Sequence, residues 1–427
     1  MISGAPYSPQ LLCVSAVRNE SCRSNYKNAN ARQLPHKTPL WYVASGAQTK
    51  TRNHQGAWLS NARKQRKHPR PATSSSGAPI KSDAESDASV DLTRLLDIVA
   101  SFPRQVIGVV GDFVLDEFVS GEISRVSREA PVLILRHRRT ESYPGGAANA
   151  VFNLSDLGAR VLPVGVVGDD DAGRQLLDHF RRKRINVSGV LRARDWITAK
   201  KTRYLAGWTH TTEQQVLRVD CEPNARLSAS TESAIANKAR EIAQRASAVL
   251  VSDYDFGAAS PAIIKKLNAK LLTLDSRYRL LEFRDAGITA ATPNEPEVEA
   301  AYHTRVGTDI RKLADLGQRA LRDLNLRALV VTRGKDGMAL FEPSRVPRNI
   351  PIYGSDAPVD VTGAGDTVIA VFTLALASGA SYLEAAHLAN YAGGIVVMKR
   401  RTATVTSAEL TAALRQDATA AAATQPR

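Results

Sequence analysis

Asp366 directly follows Gly363-Ala364-Gly365, and an apolar run begins at once with Val368, Ile369, Val371, Phe372, Leu374 and Leu376. Those spacings put the apolar residues on one helical face, so the glycines fall at a helix N-terminus. Backbone N–H groups there lack an intrahelical acceptor, and the helix dipole adds partial positive charge. With no Cβ in the way, the turn can take an anion. An acid beside such a turn is oddly placed for anion binding alone. It is well placed to accept the proton of an alcohol that attacks a phosphoryl group. The local pattern fits equally a residue that only caps the helix or complements its dipole. Both readings stand at this point.

The elements that must position this loop read as an alternation. A helix is expected over 90–101, followed by the apolar run 105–110, which ends in Gly111-Asp112. A strand that is apolar throughout belongs in a buried parallel sheet. Asp112 then lies at its C-terminal end, where open α/β sheets bind ligands. Tyr143-Pro144-Gly145-Gly146-Ala147-Ala148-Asn149 leads into a helix that Gly158 stops. From residue 232 onward, helices alternate with strands near 248–252, 271–275, 289–291, 328–332 and 337–341. Two final helices are expected over 364–378 and 381–397. Such alternation predicts a doubly wound α/β body with right-handed crossovers. Half-buried strands within 117–137, and again at 198–205 and 214–219, read as a small second sheet, a lid. The expected organisation is an extension over 1–90, an α/β domain over 91–410 with lid strands within 117–137 and 188–220, and a flexible tail over 411–427.

The net charge of +15 belongs to a segment. Residues 1–80 hold seven Arg and five Lys against one acid, Glu20, a net +11 that leaves +4 for the other 347 residues. The α/β domain is therefore not expected to bind nucleic acid. Residues 1–90 carry no sustained period. Their composition fits a disordered arm, an organelle transit peptide, a basic nucleic-acid arm around Arg63-Lys64-Gln65-Arg66-Lys67, or a mis-assigned extension. Cys13, Cys22 and Cys221 offer no disulfide framework and no zinc spacing. No run of 18 apolar residues predicts a membrane span. A cytoplasmic protein is the expectation.

Several familiar ways of holding a nucleotide are absent. There is no Gly-x-x-x-x-Gly-Lys-Ser/Thr loop, no His-Arg-Asp with Asp-Phe-Gly, and no dinucleotide fingerprint after the first strand. What remains is Asp112, Gly145-Gly146 with Asn149, Asn294 with Glu297, and the loop Gly363 to Asp366. This ordered set resembles the ribokinase-like, or PfkB-type, carbohydrate kinase family. Gly145-Gly146 with Asn149, Leu157-Gly158-Ala159 and Gly165-Val166-Val167-Gly168-Asp169-Asp170 resembles its first signature. Asp360-Val361-Thr362-Gly363-Ala364-Gly365-Asp366-Thr367 resembles its second, and Asn294-Glu295-Pro296-Glu297 its Asn-x-x-Glu motif. The match covers roughly residues 95–410.

The resemblance implies a ribokinase-like α/β/α sandwich with a β-sheet lid, and it implies roles. Asp366 is the catalytic base, and Gly363, Ala364 and Gly365 hold the transferring phosphate. Asp112, Gly145, Gly146 and Asn149 bind the sugar, with a turn cap as the other reading of Asp112. Asn294 and Glu297 act on Mg²⁺ through water. Thr332-Arg333-Gly334 forms the nucleotide-side loop. Asn390 meets the adenine or, alternatively, bridges helices. ATP and Mg²⁺ are the implied cofactors, and the Asp360 loop admits a monovalent cation. Lids of this family often pair, so a homodimer is expected.

A finer resemblance lies in the lid. Ser124-Arg125-Val126-Ser127-Arg128-Glu129-Ala130-Pro131-Val132, Lys201-Thr202-Arg203 and the stretch Gln214 to Asp220 are similar to the bacterial D-glycero-D-manno-heptose-7-phosphate kinases. A phosphosugar needs cations at its far end, and Arg125, Lys201, Arg203 and Arg218 are candidates. Otherwise they are solvated lid charges. Arg277, in Asp275-Ser276-Arg277, replaces the last residue of the family's Asp-Pro-Lys segment, and the lost proline puts the exact sugar in doubt. Subgroup members often carry a fused nucleotidyltransferase. This sequence ends at Arg427, so that activity is expected to be absent or separate. The rivals are another PfkB-type kinase acting on ribose, fructose or a nucleoside, and an inactive sugar-binding regulator.

Overall fold

Strand β1 (Val106–Gly111) is buried on both faces, and the fold is built outward from it. Its neighbours in the sheet are β4 (Arg160–Gly168) on one side and β8 (Ala248–Asp253) on the other, both parallel. Beyond β4 lies β5 (Val190–Ala193). Beyond β8 come β9 (Leu272–Ser276), β10 (Ala290–Ala291) and β11 (Ala328–Thr332), then the antiparallel β12 (Met338–Phe341) and β13 (Arg348–Ile350). The structure, a computed structural model, describes residues 90–208, 211–223 and 226–424. The extension 1–90 and the readings placed on it lie outside the described residues, apart from Val90 itself.

Side chains alternate between two buried faces, as a strand period of two requires. Ile107, Val109, Leu250 and Val330 point into one core, and Val110, Val249, Val251 and Val331 into the other. The first core is closed by α1 (Leu92–Ser101), α2 (Ala147–Asp156), α3 (Asp171–Arg182), α8 (Ala364–Ala377), α9 (Tyr382–Val396) and α10 (Ser407–Thr424). The second is closed by α4 (Ala229–Arg245), α5 (Pro261–Ile264), α6 (Glu295–Tyr302) and α7 (Ile310–Asp323). This is the expected doubly wound α/β/α sandwich. Local chemistry sets the helix starts: Asp170, Ser228 and Asp309 each accept backbone N–H bonds as N-caps.

The lid is a four-stranded sheet in the order β3 (Leu133–Gly146), β2 (Phe113–Val126), β6 (Ala199–Gly207), β7 (Gln214–Cys221). β2 and β3 are fourteen residues each, much longer than their sequence pattern indicated. The start of β2 and the end of β3 remain inside the body, so the alternation there is masked by burial on both sides.

Two boundaries differ from expectation. The second half of the lid begins at Ala199, not 188, because Val190–Ala193 pairs in parallel with β4 and extends the main sheet. Residues 411–424 are not a tail but the greater part of α10. Leu410 and Leu414, four residues apart, are fully buried on one face, and Tyr391 Oη donates to Asp417 Oδ2 at 2.6 Å. Alanine-rich composition hid this helix, since alanines give a weak amphipathic pattern.

Candidate active site

The loop at the start of α8 is shaped by Gly363, whose φ of +79° is left-handed. A Cβ there would collide with Asn149 Nδ2, so both backbone and neighbour require glycine. No side chain caps α8, which leaves its first-turn N–H groups to an outside acceptor. A Cβ on Gly365 would meet nothing within 4 Å, so space opens directly over that turn. Ala364 is the exception to the expectation. Its N–H donates to Val361 O at 3.2 Å and is used within the loop.

Asp366, in the first turn of α8, is 3% exposed. Its Oδ2 accepts from Asn149 Nδ2 and its Oδ1 from the Tyr254 hydroxyl, at 3.1 and 3.0 Å. Burial pushes its carboxyl up to about 7, and the nearby Asp275 adds to this, while the two hydrogen bonds pull the other way. A carboxylate held this way is oriented, partly desolvated and ready to take a proton near neutral pH.

The acceptor side corrects several expectations. Asn149 does not face a ligand. Its amide donates to both Gly363 O and Asp366 Oδ2, and Asn153 donates to its Oδ1. At 1% exposure it fixes the loop and the aspartate together. Asp112 is the turn cap: its two oxygens accept the N–H groups of Tyr254, Phe256 and Ala258. Burial and the neighbouring Asp253 push it up to about 6. Gly145 gives room to Asp116, whose carboxylate a Cβ would strike, and Gly146 (φ +56°) caps α2 beside the Asp112 carbonyl. Arg203 is spent on an ion pair with Asp116 (2.6 Å). Arg218 pairs with Asp220 on the outer strand β7. Arg125 lies nine residues past Asp116, roughly 30 Å along β2 at about 3.3 Å per residue, so it does not reach this chain's own Asp366.

The cations that remain are Lys201 and Arg277. Lys201 is 6% exposed, with Nζ 4.8 Å from the centre of the Tyr254 ring, and the Arg277 guanidinium lies 5.9 Å from the same ring. Among the described residues neither makes an ion pair within 4 Å. Burial and the Arg277 charge hold the Lys201 amine below its usual range. Two cations without a direct counter-ion therefore flank the tyrosine that touches Asp366, with Asp116 and Asp220 acting on Lys201, and Asp275 and Glu297 on Arg277, from beyond ion-pair distance.

On the other side of the loop a cavity of about 360 Å³ is lined by Thr332, Gly334, Val361, Gly365, Asn390 and Gly394, among others. Asn390 donates to Pro351 O (2.8 Å), just past β13 and not on a helix, and it also lines this cavity. Arg333 is turned away and pairs with Glu295 on α6. Asn294 and Glu297 form a reciprocal capping box, each side chain accepting the other's N–H at 2.8 Å. Burial pushes Glu297 up to about 7, and Asp275 lies well above the usual carboxylate range from burial and the charge of Glu297. Among the described residues no three acidic, His or Cys side chains converge as a direct metal cage. No helix among them is long and apolar enough to cross a membrane.

Sequence reasoning missed Asp116, Tyr254 and Thr402. Asp116 is 5% exposed and accepts from Thr402 Oγ1 at 3.0 Å. Its signal was a lone acid inside Phe113-Val114-Leu115-Asp116. Tyr254 follows the end of β8, the same carboxyl edge that drew attention to Asp112.

Comparison with known proteins agrees with this geometry. The family model described as "pfkB family carbohydrate kinase" matches residues 113–409. The bifunctional protein HldE of Desulfatibacillum aliphaticivorans is 38% identical over 325 residues, covering 74% of this chain and 64% of that protein. The corresponding protein of Geobacter metallireducens is 39% identical over 309 residues, covering 71% and 61%. The chain thus spans less than two thirds of the length of these curated relatives. Among solved structures, phosphofructokinase-2 from Escherichia coli superposes with a TM-score of 0.61 at 17% identity, covering 73% of this chain and 99% of that one. Arabidopsis thaliana ribokinase does so at 0.56 and 18%, with the same coverage. Fold, loop and family match agree, and the chain belongs to the PfkB family of carbohydrate kinases.

Proposed function

We propose that this chain transfers the terminal phosphoryl group of ATP to the C1 hydroxyl of D-glycero-D-manno-heptose 7-phosphate, giving the 1,7-bisphosphate. The observation that carries the substrate is the Lys201–Arg277 pair beside Tyr254, two cations without a protein counter-ion within 4 Å. A neutral sugar leaves both unpaired, whereas a sugar phosphate neutralises them with charge-assisted bonds. Arg125, Arg203 and Arg218 drop out of the phosphate set. Asp116, beside the base and at the root of the lid, takes the role of hydroxyl acceptor first given to Asp112.

The steps follow from the geometry. The C1 oxygen attacks the γ-phosphorus, the bond from that phosphorus to the β-phosphate bridging oxygen breaks, and the hydroxyl proton passes to Asp366. The open N–H groups of the α8 turn hold the transferring group, with the helix dipole aligned to its charge. ATP occupies the cavity between Thr332 and Asn390. The clustered, upward-shifted carboxyls of Asp275 and Glu297 fit a hydrated divalent cation, since added positive charge relieves their mutual repulsion. Mg²⁺ bound there supplies charge neutralisation on the phosphates. A homodimer through the lid fits the exposed Val216, Leu217 and Val219 of β7 and Val126, Val132 and Leu133 of the hairpin.

The test is ADP release, coupled to a reporter enzyme, across a panel of heptose 7-phosphate, ribose, fructose and nucleosides. Turnover of heptose 7-phosphate is expected. Fast turnover of a neutral sugar with none of the heptose phosphate overturns the substrate and leaves the kinase. Light scattering reads the oligomer, and a monomer at micromolar concentration overturns the dimer.

A further inference from the structure

The kinase reading leaves Arg401 unused, although this mostly buried arginine joins two parts of the fold. It follows α9, and its φ of +67° is left-handed, a conformation that is costly for a non-glycine residue. Glycine would hold the same turn without that cost, so the side chain is what distinguishes this residue. Its guanidinium is 13% exposed and reaches three parts of the lid. Nη2 donates to Ser120 Oγ on β2 (3.2 Å) and to Glu213 Oε2 between β6 and β7 (3.0 Å), and lies 3.6 Å from Glu141 Oε2 on β3. It also lies over the Phe118 ring, 5.0 Å from its centre.

The backbone of the same residue grips the phosphate loop. Arg401 N–H donates to Asp360 Oδ2 (3.0 Å), and the other Asp360 oxygen accepts from Thr362 N–H (2.9 Å). The N–H groups of Val359 and Asp360 both donate to Val397 O. One residue later, Thr402 bonds Asp116 at the lid's root, and its methyl lies against the space beside Gly363. Lid and loop do not otherwise close on each other here. A polar cavity of about 240 Å³ separates them, with Phe118, Arg203, Glu213, Asp360, Thr362 and Arg401 in its wall. Arg401 spans this cavity, with its N–H on Asp360 and its guanidinium on Ser120 and Glu213.

We propose that Arg401 is a positioning residue that couples the lid to the phosphate loop, so that a nucleotide seated on the loop orders the lid over the sugar. It touches neither substrate. It acts through Asp360 on the loop and through Glu213, Ser120 and Glu141 on the lid. The inference rests on the kinase reading but on no particular sugar.

Arg401→Gly removes the bridge while keeping the left-handed turn, so the fold is retained. Hydrogen exchange with and without a non-hydrolysable ATP analogue is the first readout. In the native protein the analogue slows exchange both at 363–367 and across the lid strands, residues 113–126 and 199–207. In Arg401→Gly, protection at 363–367 remains and protection of the lid is lost. Kinetics with whichever sugar the native protein phosphorylates fastest are the second. A fall in kcat of about tenfold or more is expected, with the KM for ATP unchanged. Glu213→Gln should fall similarly, and the double variant no further than Arg401→Gly alone. Arg401→Lys should recover part of the rate. Lid protection that is equal in native and Arg401→Gly proteins, or absent from both, overturns the coupling, as do effects of the two substitutions that multiply. Failure of every sugar in the panel overturns the kinase reading instead, and the exchange result still decides the coupling.

Discussion

Tyr254→Phe removes one oxygen and tests the heart of the site. The Tyr254 hydroxyl donates to Asp366 Oδ1 at 3.0 Å, and this bond favours the ionised carboxylate. Asp366 sits at about 7 with that bond in place. A hydrogen bond to a charged group contributes about 1.5–3 kcal/mol, and 1.36 kcal/mol corresponds to one pKa unit. Losing it therefore moves the Asp366 pKa up by about one to two units. The base works only when ionised, so the acid limb of kcat/KM, expected near pH 7 in the native protein, shifts to about pH 8–9. At pH 7 the ionised fraction falls from about one half to roughly a tenth or less. At high pH the two proteins converge, because the aromatic ring that Lys201 and Arg277 flank is still present. The assay is ADP release from pH 5.5 to 9.5 at subsaturating sugar. An acid limb at the same pH in Tyr254→Phe would falsify the assignment of Asp366 as the titrating base.

Three further outcomes follow from the same geometry. Asp366→Asn should lower turnover by about 10²–10⁴-fold. It should also stabilise the protein at pH 7: the folded pKa lies above the ordinary 3.8, so this group's contribution to stability falls as pH rises from about 4 to about 7. Thermal melts of the two proteins should differ at pH 7 and converge near pH 4. Lys201→Met and Arg277→Met should each raise the KM for heptose 7-phosphate about tenfold or more, at charge-assisted strength. Neither should change the KM for the heptose without phosphate, and equal losses on both sugars would remove the phosphate-binding role. Gly363→Ala forces a Cβ onto Asn149 at a left-handed φ and should lower stability by about 1–3 kcal/mol together with kcat. Denaturant unfolding and steady-state rates check this, and an unaltered kcat would show that the loop tolerates displacement of Asn149.

The sandwich was legible because strands such as Val106–Gly111 are buried on both faces and read as unbroken apolar runs. The glycine loop was legible because its conformation depends on residue type. The partners of each polar group were not. Asp112 and Asp116 are both acids four residues apart at the edge of the same apolar segment. Only the fold decides that the first is consumed by the 254–258 turn and that the second, held by Arg203 and Thr402, lies close enough for its charge to act on Asp366. The lid arginines failed for a related reason. A sequence counts their charge but not the carboxylates that cancel it, and Arg203 and Arg218 each find one within 3 Å. Lys201 and Arg277 stand out only after that cancellation. The Asn294–Glu297 spacing satisfied a helix-capping pattern and a ligand pattern alike, and the structure shows the cap.

Residues 366–375 of α8 are buried without interruption, walled in by α2, α9 and strands β8 and β9. Past its open first turn, amide protons of the buried stretch of this helix exchange with solvent only in large openings of the body, whereas β7, exposed along nearly its full length, can give up its protons by local fraying. The wall of the cleft built on α8 is therefore far slower to deform than the lid wall. Selection or engineering for a new sugar has a soft wall to reshape and a rigid one to leave alone.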